Sequence, residues 1–124
     1  SIEGSGAAVR DDRERLRDIL EAIERVEKYA AQGQETFQND ELIQVWVVHH
    51  IQIVGEAARK LTDELRKRHD DIPWAQIFAM RNILVHDYFG VDVDEVWAAV
   101  ERDLPGLKIK IKAILDESER EENK

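Results

Sequence analysis

Apolar residues recur at Leu16, Ile19, Leu20, Ile23, Val26 and Ala30 in steps of three and four, and the same rhythm returns along most of the chain. Two prolines and six glycines in 124 residues interrupt it little, so long uninterrupted helices packed on one another are possible. Gly33 is a stop signal after the first run. A second helix opens near the cap candidates Asn39 and Asp40. It runs unbroken through Leu42, Trp46, Val47, Ile51, Val54, Ala58, Leu61 and Leu65, as the longest element. Pro73 suits the first turn of a third helix, where its missing N–H costs nothing. That helix carries "WAQIFAMRNILVHDY" and is expected to end around Phe89–Gly90. Asp92 and Glu95 form a capping box for a fourth helix through Val96, Trp97 and Val100. Pro105 opens a fifth, with Leu107, Ile111, Ile114 and Leu115 on its buried side. "LKIKIK" alternates like a strand, but nothing else in the chain reads as a strand to pair with it, and it is assigned to helix. The expected architecture is an all-α antiparallel bundle of four to five helices in one domain, residues 9–117. Residues 1–8, "SIEGSGAA", are expected to be an expression remnant or disordered, and 118–124 a charged, frayed tail.

Composition narrows the functions open to such a bundle. There is no cysteine, which excludes a disulfide framework and cysteine-ligated zinc and fits a reducing, cytoplasmic setting. The longest apolar neighbourhood, "VWVVHHIQIV", falls far short of the roughly 20 residues of a membrane span. The net charge is −9, whereas tight binding of nucleic acid through its phosphates normally needs a basic surplus. Any contact with nucleic acid must therefore be local. Basic residues do cluster at Arg66 to His69 and at Lys108, Lys110 and Lys112. The simpler reading of both clusters is solvated helix surface.

The third helix carries the unusual chemistry. In "RNILVHDYFG", residues 81–90, an arginine, an asparagine, a histidine and a tyrosine interrupt an apolar stretch. On a helix, Ile77, Met80, Ile83 and Leu84 cover one side, and Phe78 and Val85 lie on the other side of Arg81. Asn82 and His86 share the remaining edge, about 40° apart. A helix apolar nearly all round is buried nearly all round. One short chain has trouble covering it, and a second subunit is expected. Burying Arg81 needs an anionic partner. Either Arg81 pairs with a carboxylate such as Glu56 and His86 is a satisfied core histidine, or the segment is a reaction site. For the second reading, Arg81 is a natural fork for phosphate oxygens. Histidine, here His86, is the one common side chain whose unperturbed pKa, about 6.5, suits proton transfer at neutral pH, and Asn82 stands one turn before it.

Arginine, a polar residue, three more positions and a histidine resemble the R-x4-6-H motif of HEPN domains. The extension "RNILVHDY" is similar to the R-x4-H-x-Y form of the HepT toxins. "VGEAARKL", "IPWAQIFAMRN", "HDYFGVD" and "VWAAVERDLPGLK" follow in that family's order and spacing, so the resemblance covers most of the chain. The short motif alone is weakly specific, and the joined set is specific. The resemblance implies a dimeric, metal-independent endoribonuclease toxin without a cofactor. It also implies a partner, a small nucleotidyltransferase antitoxin. Arg81 and His86 would be catalytic, Asn82 and Glu56 supporting, and Tyr88 the residue that receives adenylate. Cleavage by the RNA's own 2′-hydroxyl needs a base, an acid and positive charge for the phosphorane. Two chains meeting at this helix would supply two histidines and two arginines. The alternative is a non-catalytic helical dimer that docks the nucleotidyltransferase and is modified by it. Asp87 puts an acid beside the expected phosphate site.

Other conspicuous residues read more simply. His49 and His50 are adjacent, so a helix points them about 100° apart, and no Glu-x-x-His motif completes a metal site. His49 is expected on a polar edge with Gln52 and Glu56, and His50 in the core. Gly55 is expected to permit close helix approach. Trp46, Trp74 and Trp97 are expected core aromatics. Glu56 is either a surface acid or the partner that holds Arg81 extended.

Overall fold

The computed structural model describes residues 2–86 and 92–123, with side chains for 6–81 and 92–123. Among these the elements are α1 (Ile2–Ala30), α2 (Gln34–Asn39), α3 (Glu41–Arg59), α4 (Asp63–Arg68), α5 (Trp74–His86), α6 (Val93–Ala98), a π-helical turn (Ala99–Asp103) and α7 (Leu104–Glu122). No strand occurs among the described residues. The molecule is an all-α bundle of four long helices, α1, α3, α5 and α7, joined by short ones.

The spacing of apolar residues becomes the core directly. Leu16, Ile19, Ile23 and Val26 of α1 are fully buried, as are Val47, Ile51 and Val54 of α3 and Ile111 of α7. Each such side chain withdrawn from water contributes about 1.5–3 kcal/mol before entropy is counted. Gly33 stops α1 with φ 99°, a left-handed conformation that favours glycine. Asp40 caps α3, its carboxylate accepting from the N–H groups of Leu42 and Ile43 at 3.0 and 3.2 Å.

Cross-links show the helices to be antiparallel. The Trp46 indole N–H, early in α3, donates to the Arg25 carbonyl late in α1 (2.9 Å). Asp12, early in α1, meets Thr62 just beyond α3. Lys108 lies 2.8 Å from Glu27, Arg17 lies 3.9 Å from Glu119, and Arg13 pairs with Glu122, so α7 runs back along α1. The hydrogen bond from Lys108 to Glu27, more than its charge, raises the lysine's pKa. These links fall partly on the stretch expected to fray. Helix α7 continues to Glu122, with Arg13 and Arg17 of α1 against its acidic end. At the other end, α1 is helical from Ile2.

Three boundaries differ from the periodicity. The second helix is not continuous, because it stops at Arg59 and resumes as α4 at Asp63. The cause is Asp12, only 6% exposed. Its carboxylate accepts from the Thr62 N–H (3.0 Å) and the Thr62 hydroxyl (2.7 Å), and that hydroxyl accepts from the Leu65 N–H (3.2 Å) as the cap of α4. The fourth and fifth helices are not separated by a loop. A π-helical turn, Ala99–Asp103, carries one into the other. Pro105 has no N–H to offer the Glu101 carbonyl and would crowd it, and a wider turn at this point absorbs the misfit. The short helix α2, with Phe37 buried, was not foreshadowed by any apolar repeat.

Candidate functional site

The site expected from the sequence lies on the seam between α3 and α5. Gly55 on α3 is buried against α5. A Cβ there would stand 3.0 Å from the Arg81 Cβ and 3.4 Å from the Ile77 carbonyl oxygen. The absence of a side chain thus lets α5 approach closely and sets where Arg81 leaves the helix. The next residue, Glu56, places Oε1 3.6 Å from Arg81 Nε, an ion-pair contact longer than a hydrogen bond. The Arg81 side chain is 40% exposed and that of Glu56 53%. Arg81 is therefore half-exposed rather than buried. An ion pair this open adds little stability, about 0–1 kcal/mol. Its consequence is orientation, because the carboxylate takes Nε while the guanidinium stays open to solvent.

Helix α5 runs on through Asn82 to His86, one turn apart on the same edge of the backbone helix. The side chains of both lie outside the described residues, as do Asp87, Tyr88 and the expected helix end at Phe89–Gly90. The structure brings Arg81 and Glu56 together. Helix α5 buries Trp74, Ile77 and Met80 but leaves Ala75, Gln76 and Ala79 exposed. Beside Met80 an apolar cleft of about 230 Å³ opens between α5 and α6, lined by Ile51, Ala79, Val96 and Ala99. The single chain thus leaves part of this nearly all-round apolar helix uncovered.

The remaining candidates fall where their chemistry suggests. His49 is exposed. His50 is 5% exposed, and its Nδ1 lies 2.7 Å from the Trp46 carbonyl, which can only accept, so Nδ1 carries the proton. Trp74 and Trp97 are buried, with their indole N–H groups donating to the His69 carbonyl and to Glu101. Trp46 is half-buried, edge-on to Tyr29. Among the described residues no group of three or more His, Cys, Asp or Glu is arranged to hold a metal ion. None of the described helices is long and apolar enough to cross a membrane.

Periodicity alone missed one cluster. The Arg59 guanidinium at the end of α3 stands 5.7 Å from the centre of the Phe78 ring, and that of Arg66 on α4 stands 5.3 Å from it. The basic run at 66–69 was legible, but its junction with Arg59 depends on the chain break at Thr62.

The antiparallel helical bundle, with an arginine set by a glycine and paired with a glutamate on the helix that carries the R-x4-H segment, agrees with the all-α fold that the resemblance to HEPN domains implies. Residues 19–114 match the HepT-like family, described as ribonuclease HepT-like, and the chain belongs to that family. A Thermococcus cleftensis protein named "Probable ribonuclease HepT" is 37% identical over 106 residues, 85% of this chain and 96% of that one. A Methanocaldococcus jannaschii protein named "Gamma-glutamylcyclotransferase and putative RNase" is 38% identical over 109 residues, 87% of this chain. The chain spans about half of that longer relative, 49% of its length. A second M. jannaschii protein, named "Putative RNase", is 32% identical over 106 residues, 85% of this chain and 97% of that one. No solved structure matches the chain.

Proposed function

We propose that the chain is a cytoplasmic, metal-independent endoribonuclease toxin that works as a dimer. Membership of a ribonuclease family supports the RNA substrate. The observation that carries the site is the Gly55–Glu56–Arg81 arrangement, which presents a half-exposed guanidinium on the helix that carries His86. The uncovered side of α5 supports a second copy packing there.

In this reading the ribose 2′-oxygen attacks phosphorus and the bond from phosphorus to the 5′-oxygen breaks. One His86 takes the 2′-hydroxyl proton. The His86 of the second copy gives a proton to the departing 5′-oxygen, and the two Arg81 side chains hold the charge that builds on the phosphorane. The products are a 2′,3′-cyclic phosphate and a 5′-hydroxyl. Asn82 orients the imidazole, and Glu56 keeps Arg81 extended. On a partner nucleotidyltransferase antitoxin, the Tyr88 hydroxyl oxygen attacks the α-phosphorus of ATP, the bond from that phosphorus to the β-phosphate breaks, and pyrophosphate leaves with the adenylate now on Tyr88. Its position seven residues after Arg81 returns a continuing helix to nearly the same face, about 20° away. The added phosphodiester charge competes for the arginines, and the purine fills the cleft.

The test is cleavage and growth inhibition by His86→Ala and Arg81→Ala, with helical content followed by circular dichroism. Each folded variant is expected to lose at least about 10²–10³ in rate, the usual cost of removing a group that stabilises transition-state charge. Cleavage that survives both substitutions would remove this reading. Adenylylation of a dimer that never cleaves RNA would favour the non-catalytic alternative.

A further inference from the structure

The ribonuclease reading leaves a second basic feature unused. Gly55 meets Ile77 and Arg81, Glu56 meets Arg81, and Arg59, one turn further along α3, meets Phe78, one turn earlier on α5. These are successive rungs of one seam, about 4.5 Å apart along each axis. Arg66 joins the last rung from α4, on the same half-buried ring. Two cations are thus gathered on one aromatic side chain of a protein whose net charge is −9.

The local acids do not account for this gathering. Asp63 takes one terminal nitrogen of Arg66, while Arg66 Nε is buried without a hydrogen-bond partner among the described residues. Arg59 is exposed and makes no ion pair among the described residues. Contact with the ring face offsets part of the desolvation of both guanidiniums and restricts their motion. Like charges held this way favour a shared anion, and planar guanidiniums match phosphate oxygens.

We propose that Arg59 and Arg66, both held against Phe78, form a second phosphate-binding position that takes the RNA strand one helical turn away from Arg81. This rests on the ribonuclease reading. RNA crosses from Arg81 along the α3–α5 seam, and Phe78 is a positioning residue that does not itself touch the strand. The site accounts for RNA binding by an acidic protein, because the contact is confined to one seam.

Fluorescence anisotropy of the full chain with a labelled single-stranded RNA, titrated from low to moderate salt, tests the assignment. On a single strand, each phosphate that the protein no longer neutralises flattens the log–log salt dependence by roughly 0.7. Because the two arginines share one phosphate, Arg59→Gln/Arg66→Gln is expected to flatten it by about 0.7 and Arg59→Gln alone by part of that, each with affinity several-fold weaker at low salt. Phe78→Leu changes no charge and is expected to weaken binding with Arg59 and Arg66 intact. Arg59 is exposed, so its single variant decides the matter even where Arg66→Gln disturbs folding. Wild-type affinity and slope in folded Arg59→Gln, beside weakened binding in Arg81→Gln, overturn this site and leave the ribonuclease reading standing. Absence of RNA binding by the wild-type protein overturns both.

Discussion

Gly55 decides the geometry of the site with a missing side chain. Alanine in a helix interior is favoured over glycine by about 1 kcal/mol, so Gly55→Ala on an open helix would stabilise. Here the new Cβ meets the Arg81 Cβ at 3.0 Å and the Ile77 carbonyl at 3.4 Å, atoms tied to α5 itself. Overpacking of this kind costs about 1–3 kcal/mol and outweighs the propensity gain. Gly55→Ala is expected to lower stability in urea and to reduce cleavage further than the fraction unfolded explains. Glu56→Gln is expected to leave stability within about 0.5 kcal/mol, because the pair is open to solvent, while reducing cleavage through a less fixed Arg81. Tyr88→Phe should abolish the adenylate adduct seen by mass spectrometry after co-expression with the nucleotidyltransferase. Adducts on Tyr29, which packs edge-on to Trp46, would contradict that assignment. The closeness allowed by Gly55 was legible from its place in a helix and the Arg81–Glu56 pair as one of two readings, while the roles proposed for Arg81, His86 and Tyr88 rest on the motif. Arg59 and Arg66 were not legible, because no local pattern reveals that residues on α3 and α4 share a ring on α5.

Element boundaries show what periodicity misses. The apolar rhythm from Leu42 to Leu65 continues through Lys60–Thr62, and the helix does not. The break is imposed by Asp12, fifty positions earlier in sequence, which a window along α3 does not contain. Asp12→Ala leaves the Thr62 N–H without this acceptor, and such a loss costs about 1–3 kcal/mol. Urea unfolding of Asp12→Ala is expected to show that loss, and an unchanged midpoint would mean that the break is set locally by Thr62. Pro105 was legible as the opening of a helix, but the π-helical turn that joins it to the helix before was not. Whether a proline ends a helix or widens a turn depends on the packing on either side of it. The caps at Asp40 and Asp92 were legible because a side-chain acceptor beside an N–H pair is a local matter.

At the scale of the whole molecule, the bundle gives each long helix a different task. Helix α1 is clamped between α3 and α7, α3 carries the buried centre, and α5 at the edge carries the arginine and the histidine. An edge helix apolar on most sides is suited to a second copy, and light scattering at micromolar concentration is expected to show a dimer. With a net charge of −9, the proposed RNA contact is confined to a few phosphates, and its salt dependence is expected to be shallower than that of a protein basic all over. In the proposed function, the imidazole and guanidinium groups of this chain cleave RNA without help from a metal. End-group analysis of RNA treated with wild-type protein in excess EDTA, beside His86→Ala, measures it most directly. The wild type is expected to leave 2′,3′-cyclic phosphate and 5′-hydroxyl ends, and folded His86→Ala is expected to leave the RNA uncut. Cleavage that stops in EDTA and returns only with added divalent metal, or that leaves 5′-phosphate ends, would contradict that function.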